Sequence, residues 1–230
     1  MKRPGRAYAS ALGALLAAAQ VHADVSGSVT MTSDYRFRGI SLSAEQPAAE
    51  FTLDYDHAKG GYAGTMISTL QFSDQTHRSI GLLAYGGYVR RYGNFNLEGG
   101  ADYAAFPGNH DYDYPEVYWG ITSERASARL YYTYHYFGQT SNTQYLEFNT
   151  TQPIRGRLTL MGHLGILHTK LNPATTERAY HSDFRIGLAL ALPGASVQLA
   201  WVTAQRVSSE YPVNAAQQRR ALILSLTRSF

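Results

Sequence analysis

Arg220-Ala221-Leu222-Ile223-Leu224-Ser225-Leu226-Thr227-Arg228-Ser229-Phe230 is the stretch whose reading decides the fold. Leu222, Leu224 and Leu226 alternate with Ala221, Ile223, Ser225 and Thr227, and the run closes on Phe230. Successive side chains of a strand point to opposite faces, so this spacing makes one greasy face and one mixed face. A strand of an outer-membrane barrel needs an apolar face toward lipid, accepts a polar face toward the lumen, and suits an aromatic at the membrane boundary. A closed antiparallel transmembrane β-barrel, an all-β fold, is therefore expected.

The same period recurs along the chain. About twelve alternating segments of roughly 9–12 residues, each long enough to cross a bilayer when tilted, fall at 25–37, 48–58, 62–72, 79–90, 94–106, 115–123, 126–137, 143–152, 156–168, 182–192, 195–206 and 219–230. Leu158, Leu160, Leu164 and Ile166 stand against Arg157, Thr159 and His163; Phe184, Ile186, Leu188 and Leu190 stand against Asp183, Arg185 and Gly187. Alternation sustained this often excludes helices. Connections alternate as well: short ones at 59–61, 92–94, 123–125, 153–156 and 193–194, longer polar ones at 39–47, 73–78, 107–114, 138–142, 170–181 and 207–218. Short periplasmic turns and longer outer loops are the barrel pattern, and an even strand count puts both termini in the periplasm. Counts of about ten or fourteen strands fit the same pattern with shifted boundaries.

Composition agrees. Lys2, Arg3 and Arg6, the apolar run 11–19 and Val21-His22-Ala23 form a secretory signal peptide, cleaved after Ala23. Residues 1–23 are then the leader and 24–230 the barrel. The whole chain has 20 Lys plus Arg against 17 Asp plus Glu, and three of those bases lie in the leader, leaving 17 against 17. With no basic block in the mature chain, nucleic-acid binding is set aside. Cysteine is absent, which excludes disulfides and thiolate chemistry. Eighteen tyrosines suit the interfacial girdles of a barrel. In-strand glycines such as Gly86-Gly87 and Gly99-Gly100 suit the bends that closure requires.

With the Leu/Phe/Ile face turned to lipid, the opposite face carries the charges, because a charge in mid-membrane costs a few kcal/mol. Arg36, Arg38, Arg129 and Arg185 are the expected cationic wall of the lumen, and Asp54, Asp56, Glu98 and Asp102 the anionic wall. Opposed walls form a transverse field that selects small polar solutes or ions. The alternative is a plugged barrel whose interior charges pair with one another. Arg36 and Arg38 fit an anion-reading constriction or, equally, rim arginines that pair with Asp34 or Asp54. Barrel lipases and proteases are a further alternative. The nearest compositions are His77-Arg78-Ser79, His110-Asp111-Tyr112-Asp113 and His181-Ser182-Asp183, all expected in outer loops, and no catalytic residue is assigned. No metal-ligand spacing is present, and no cofactor is expected.

One run is more specific than these patterns. Ser33-Asp34-Tyr35-Arg36-Phe37-Arg38-Gly39-Ile40-Ser41, followed by Pro47-Ala48, resembles the TorF family of proteobacterial outer-membrane porins, whose members begin with a similar Ser-Asp-Tyr-x-Phe-Arg-Gly-Ile-Ser segment and a following Pro-Ala. Weaker similarity runs from Phe51 to Ser68 and returns in the last strand, where Arg228 departs from the aromatic often found two positions before the end. The resemblance implies an outer-membrane barrel and a porin role without naming a solute. The expected partners are membrane lipid, the barrel-assembly machinery acting on the strand that ends in Phe230, and small polar solutes or ions.

Overall fold

The computed structural model describes residues 24–72, 77–140, 142–170, 178–205 and 219–230. The expected leader lies outside the described residues, as do 171–177 and 206–218 in two of the expected outer loops. Among the described residues, twelve antiparallel strands close into one barrel. They are β1 (Asp24–Thr32), β4 (Ala48–Asp56), β5 (Gly61–Leu70), β6 (Ser79–Tyr92), β7 (Phe95–Ala105), β8 (Tyr114–Thr122), β9 (Ala126–Thr133), β10 (Asn142–Arg155), β11 (Leu158–Lys170), β12 (Arg178–Leu192), β13 (Ala195–Gln205) and β14 (Arg220–Ser229). β1 pairs with β4 on one side and with β14 on the other, which closes the seam. Two short strands, β2 (Arg36–Phe37) and β3 (Ile40–Ser41), form a hairpin of their own. The 3-10 turns η1 (His110–Tyr112) and η2 (Tyr136–Gly138) lie in outer loops.

Burial is inverted relative to a soluble protein. Leu53, Leu188 and Leu222 are 40%, 44% and 64% exposed, while Glu50, Asp102, Glu116 and Asp183 on the opposite strand faces are buried. An apolar outside and a charged inside is stable in lipid, and closure leaves no unpaired strand edge there. This is the architecture of a bacterial outer-membrane barrel.

The last strand seals the cylinder through its end. Gly27 N–H donates to Phe230 O and Phe230 N–H donates to Gly27 O, both at 3.0 Å. The Phe230 ring stacks on Phe51 at 6.4 Å.

Two expectations need correction. The first strand, expected over 25–37, stops at Thr32, and the chain then turns into the lumen. The polar alternation continues through Asp34, Arg36 and Arg38, but the Asp34 carboxylate collects local donors, described below, and folds the segment on itself. Tyrosine is not confined to girdles either. Tyr114, Tyr118, Tyr131 and Tyr145 are buried in the interior. Several inward glycines make room for rings from the facing strand: Gly87 lies under Tyr62 and Gly64 under Tyr85, each pair in direct register.

Candidate functional site: the inward hairpin and the charged lumen

The site begins with a turn. Arg38 and Gly39, with φ of 48° and 79°, link β2 to β3. Positive φ at both positions of a two-residue loop is the type I′ geometry that suits the twist of a hairpin. Asp34 fastens the base: its Oδ2 accepts from Arg36 Nε at 2.6 Å, and its Oδ1 accepts from Ser41 Oγ at 2.6 Å and Ser43 Oγ at 3.1 Å. Tyr35 O accepts from Leu42 N–H at 2.8 Å. The run that reads Ser-Asp-Tyr-Arg-Phe-Arg-Gly-Ile-Ser is thus a self-fastened hairpin.

The hairpin crosses the outer half of the lumen. Arg38 Nη2 donates to Glu116 Oε2 on β8 at 2.6 Å, and the two side chains are each 4% exposed. The Arg38 guanidinium lies 4.2 Å from the Tyr145 ring centroid and 5.2 Å from that of Tyr131, on β10 and β9. On the far side His181 Nε2, on β12, donates to Arg38 O at 2.8 Å. Gly39 lies so close to β12 that a Cβ there would meet Asp183 Cβ at 2.6 Å. A buried guanidinium is tolerated only when a carboxylate and π faces replace its water. The left-handed backbone of Arg38 is a cost met by the same contacts. Around the hairpin, Ile40, Leu42, Leu70, Phe72, Phe106 and Phe137 form a buried apolar cluster. A cavity of about 40 Å³ remains between hairpin and wall, lined in part by Tyr35, Phe37, Leu83, Asp102 and Glu116.

Below the hairpin the interior is polar. Arg129 on β9 donates through Nε and Nη2 to Glu98 Oε1 on β7 at 2.8 and 2.6 Å, and its Nη1 lies 3.9 Å from Glu147. This bridge passes over β8 at Gly120, where a Cβ would strike Glu98. Arg185 Nη2 donates to Gln198 Oε1 at 2.5 Å, and the Glu50 carboxylate acts on it as an opposing charge. Tyr85 hydroxyl donates to Asp54 Oδ1. Asp54 and Asp56 are half-buried at the periplasmic end. His163 Nε2 lies 2.8 Å from Asp183 Oδ1, its Nδ1 2.7 Å from Asn149 Oδ1, and Tyr145 hydroxyl donates to Asp183 Oδ2 at 3.1 Å.

Of the residues proposed from sequence, Asp54, Asp56, Glu98, Asp102, Arg129 and Arg185 lie on inward strand faces. Arg36 and Arg38 lie on the hairpin rather than on a wall strand, and Arg36 is paired with Asp34. The arrangement interleaves the two signs as local pairs instead of opposing two walls. Sequence reasoning missed Glu116 as the partner of Arg38, and no local signal marks a pair 78 residues apart. It placed His181-Ser182-Asp183 in an outer loop; these residues belong to β12, and Ser182 points away from the face shared by His181 and Asp183. His110 Nδ1 pairs with Asp113 Oδ2 at 3.0 Å, and Asp113 Oδ1 accepts from Phe106 N–H at 2.6 Å, which closes the outer loop on itself. Among the described residues no group of three or more His, Asp or Glu side chains is placed to hold a metal ion.

Among solved structures, the KdgM porin is similar at a TM-score of 0.55 and 12% identity, over 89% of this chain and 99% of that one. An outer membrane channel from Pseudomonas putida F1 is similar at a TM-score of 0.54 and 11% identity, over 95% of this chain and 99% of that one. At such identities the likeness is one of fold. No curated protein matches the chain. A family model described as a bacterial protein of unknown function (Gcw_chp) matches residues 16–230, and by that match the chain belongs to the Gcw_chp family.

Proposed function

We propose that the protein is an outer-membrane channel for passive diffusion of small polar solutes or ions, narrowed in its outer half by the hairpin 36–41. The observation that carries this reading is the interior itself: Asp54, Asp56, Glu98, Asp102, Arg129 and Arg185 line it, and the periplasmic half is partly open to solvent. Charge-lined interiors of this kind suit solutes that shed little of their water. The path passes beside the hairpin, with Arg36 and Arg38 at its narrowest level. The role is that of a conduit, not an enzyme, in keeping with the resemblance to the TorF family and with the fold shared with outer-membrane channels. Residues 1–23 direct export and are cleaved after Ala23, and β14 with its terminal Phe230 presents the chain to the assembly machinery.

A second reading, a sealed barrel, is favoured by the apolar cluster and the Arg38–Glu116 pair in the outer half. Planar-bilayer recording separates the two. The channel reading expects resolved steps from purified wild-type protein and larger steps from Glu116→Gln, which loosens the hairpin. Silence of both proteins at all voltages means a sealed barrel.

A further inference from the structure

We propose that three lipid-facing arginines, Arg90, Arg155 and Arg228, hold the phosphates of anionic phospholipids in the leaflet at the end of the barrel that carries both termini. The face of each arginine follows from its cross-strand partner, because residues directly opposite on neighbouring strands share a face. Arg90 on β6 is opposite Leu97 and Arg228 on β14 is opposite Val29, and both partners are exposed on the lipid side. Arg155 on β10 is opposite Leu158, which is itself opposite the exposed Leu190. All three arginines are exposed, and each stands close to an end of its strand. A guanidinium on the lipid face is costly at mid-membrane, and the cost fades toward the interface, where the long side chain reaches up to phosphate. Interfacial aromatics mark the same boundary: the Arg90 guanidinium lies 5.5 Å from the Tyr92 ring centroid, and the exposed Phe230 follows Arg228. Among the described residues, the ion pairs all join other side chains.

Spacing decides which partner fits. β6, β10 and β14 stand four strands apart in either direction round the twelve-stranded barrel. A partner protein would need its contacts gathered on one patch, whereas a leaflet surrounds the barrel and meets all three arginines at once. Charge decides which lipid fits. The turns at this end add Lys59, Arg91, Arg125 and Arg157, and the acidic groups beside them are Asp24, Asp56, Glu124 and the Phe230 carboxylate. Seven bases against four acids give the rim a positive field, which favours lipids of net negative charge, such as phosphatidylglycerol, over zwitterionic ones. The planar guanidinium also matches a phosphate as a two-pronged fork. A sealed barrel would present the same collar, so the proposal stands apart from conduction.

The test is native mass spectrometry of folded protein released from micelles that hold equal amounts of phosphatidylglycerol and phosphatidylethanolamine. It compares wild type, the combined variant Arg90→Gln, Arg155→Gln and Arg228→Gln, and Arg220→Gln, which removes a guanidinium from the other end of β14. Heat-modifiable gel mobility first shows that each is folded. Wild type is expected to retain phosphatidylglycerol in preference, by about fivefold for each guanidinium, and Arg220→Gln to keep that preference. The combined variant is expected to retain both lipids equally. Should it not fold, the three single variants are each expected to lose about a fivefold share. Equal retention of the two lipids by wild type overturns the proposal. A preference that survives in the combined variant, or that falls as far in Arg220→Gln, overturns the assignment to these three arginines. Cosedimentation of wild type with purified peptidoglycan, lost in the combined variant and unaccompanied by a lipid preference, gives the collar to the cell wall and overturns the lipid as its partner.

Discussion

At the scale of single residues, Arg38 shows how one side chain fixes an interior. It is held in a left-handed backbone, its charge is met by Glu116, and its flat guanidinium is met by tyrosine rings. Removing one partner of a buried pair leaves the other uncompensated, at a cost of about 3–5 kcal/mol. Glu116→Gln is therefore expected to lower the temperature at which the folded band is lost on semi-native gels by more than any lipid-face Leu→Ala change; an unchanged temperature would show that Arg38 finds equal compensation elsewhere. Phe230 acts at a different place. Its ring covers Gly27, where a Cβ would meet ring carbon at 2.7 Å, and stacks on Phe51. An aromatic pair contributes about 0.5–1.5 kcal/mol beyond its area, and this one lies on the closing seam. Phe230→Ala is expected to reduce the amount of protein in the outer membrane more than Phe184→Ala, although Phe184 also has an aromatic neighbour, Trp201 at 6.1 Å. Equal levels of the two variants would deny the seam any special role.

At the scale of elements, the hairpin β2–β3 is a two-stranded sheet of its own, separate from the cylinder. Its own bonds to Asp34 give it shape, and Arg38 gives it a place. These two contributions separate by substitution. Arg38→Asn keeps a residue that favours positive φ at the turn and deletes the pair with Glu116. The expected outcome is a barrel that still inserts and shows larger conductance steps, because the hairpin is formed but unlatched. Steps of wild-type size would mean that the apolar cluster of Ile40 and Leu42 alone holds the hairpin. The strands below it depend on glycine at one crossing. Gly120→Ala is expected to separate Arg129 from Glu98, since a Cβ there would meet Glu98 Cγ at 2.8 Å. Its loss of heat resistance should match that of Glu98→Gln, and the double variant should be no worse than either, because both act on one contact.

At the scale of the whole molecule, topology is the quantity to test. With both termini expected in the periplasm, the strand order places η1 outside the cell and the β8–β9 turn in the periplasm. A cysteine at Asp111 should react with an impermeant maleimide on intact cells, and one at Glu124 should react only after the membrane is broken. The reverse pattern would invert the barrel. The exposed belt of Leu53, Leu188 and Leu222 leaves lipid as its only stable surrounding.

The class of fold, a count of about twelve strands and the inward or outward face of nearly every strand residue were legible in the sequence alone, while the choice of twelve over ten or fourteen came with the closed strand order. The physical reason is local: a side-chain period of two, read against lipid, is set within each strand and needs no knowledge of its neighbours. Leu222, Leu224 and Leu226 are exposed and Ile223, Ser225 and Thr227 buried for that reason alone. What happens inside the cylinder was decided only by tertiary structure. Arg36 and Arg38 obey the strand alternation that made them wall residues in the sequence, yet Asp34 turns them back into the lumen through donors up to nine residues away. Arg38 meets Glu116, and Asp102 faces that same Glu116, because closure and register bring distant strands to one level. Charge pairing across a lumen depends on distance in space, and a period along the chain carries no record of it.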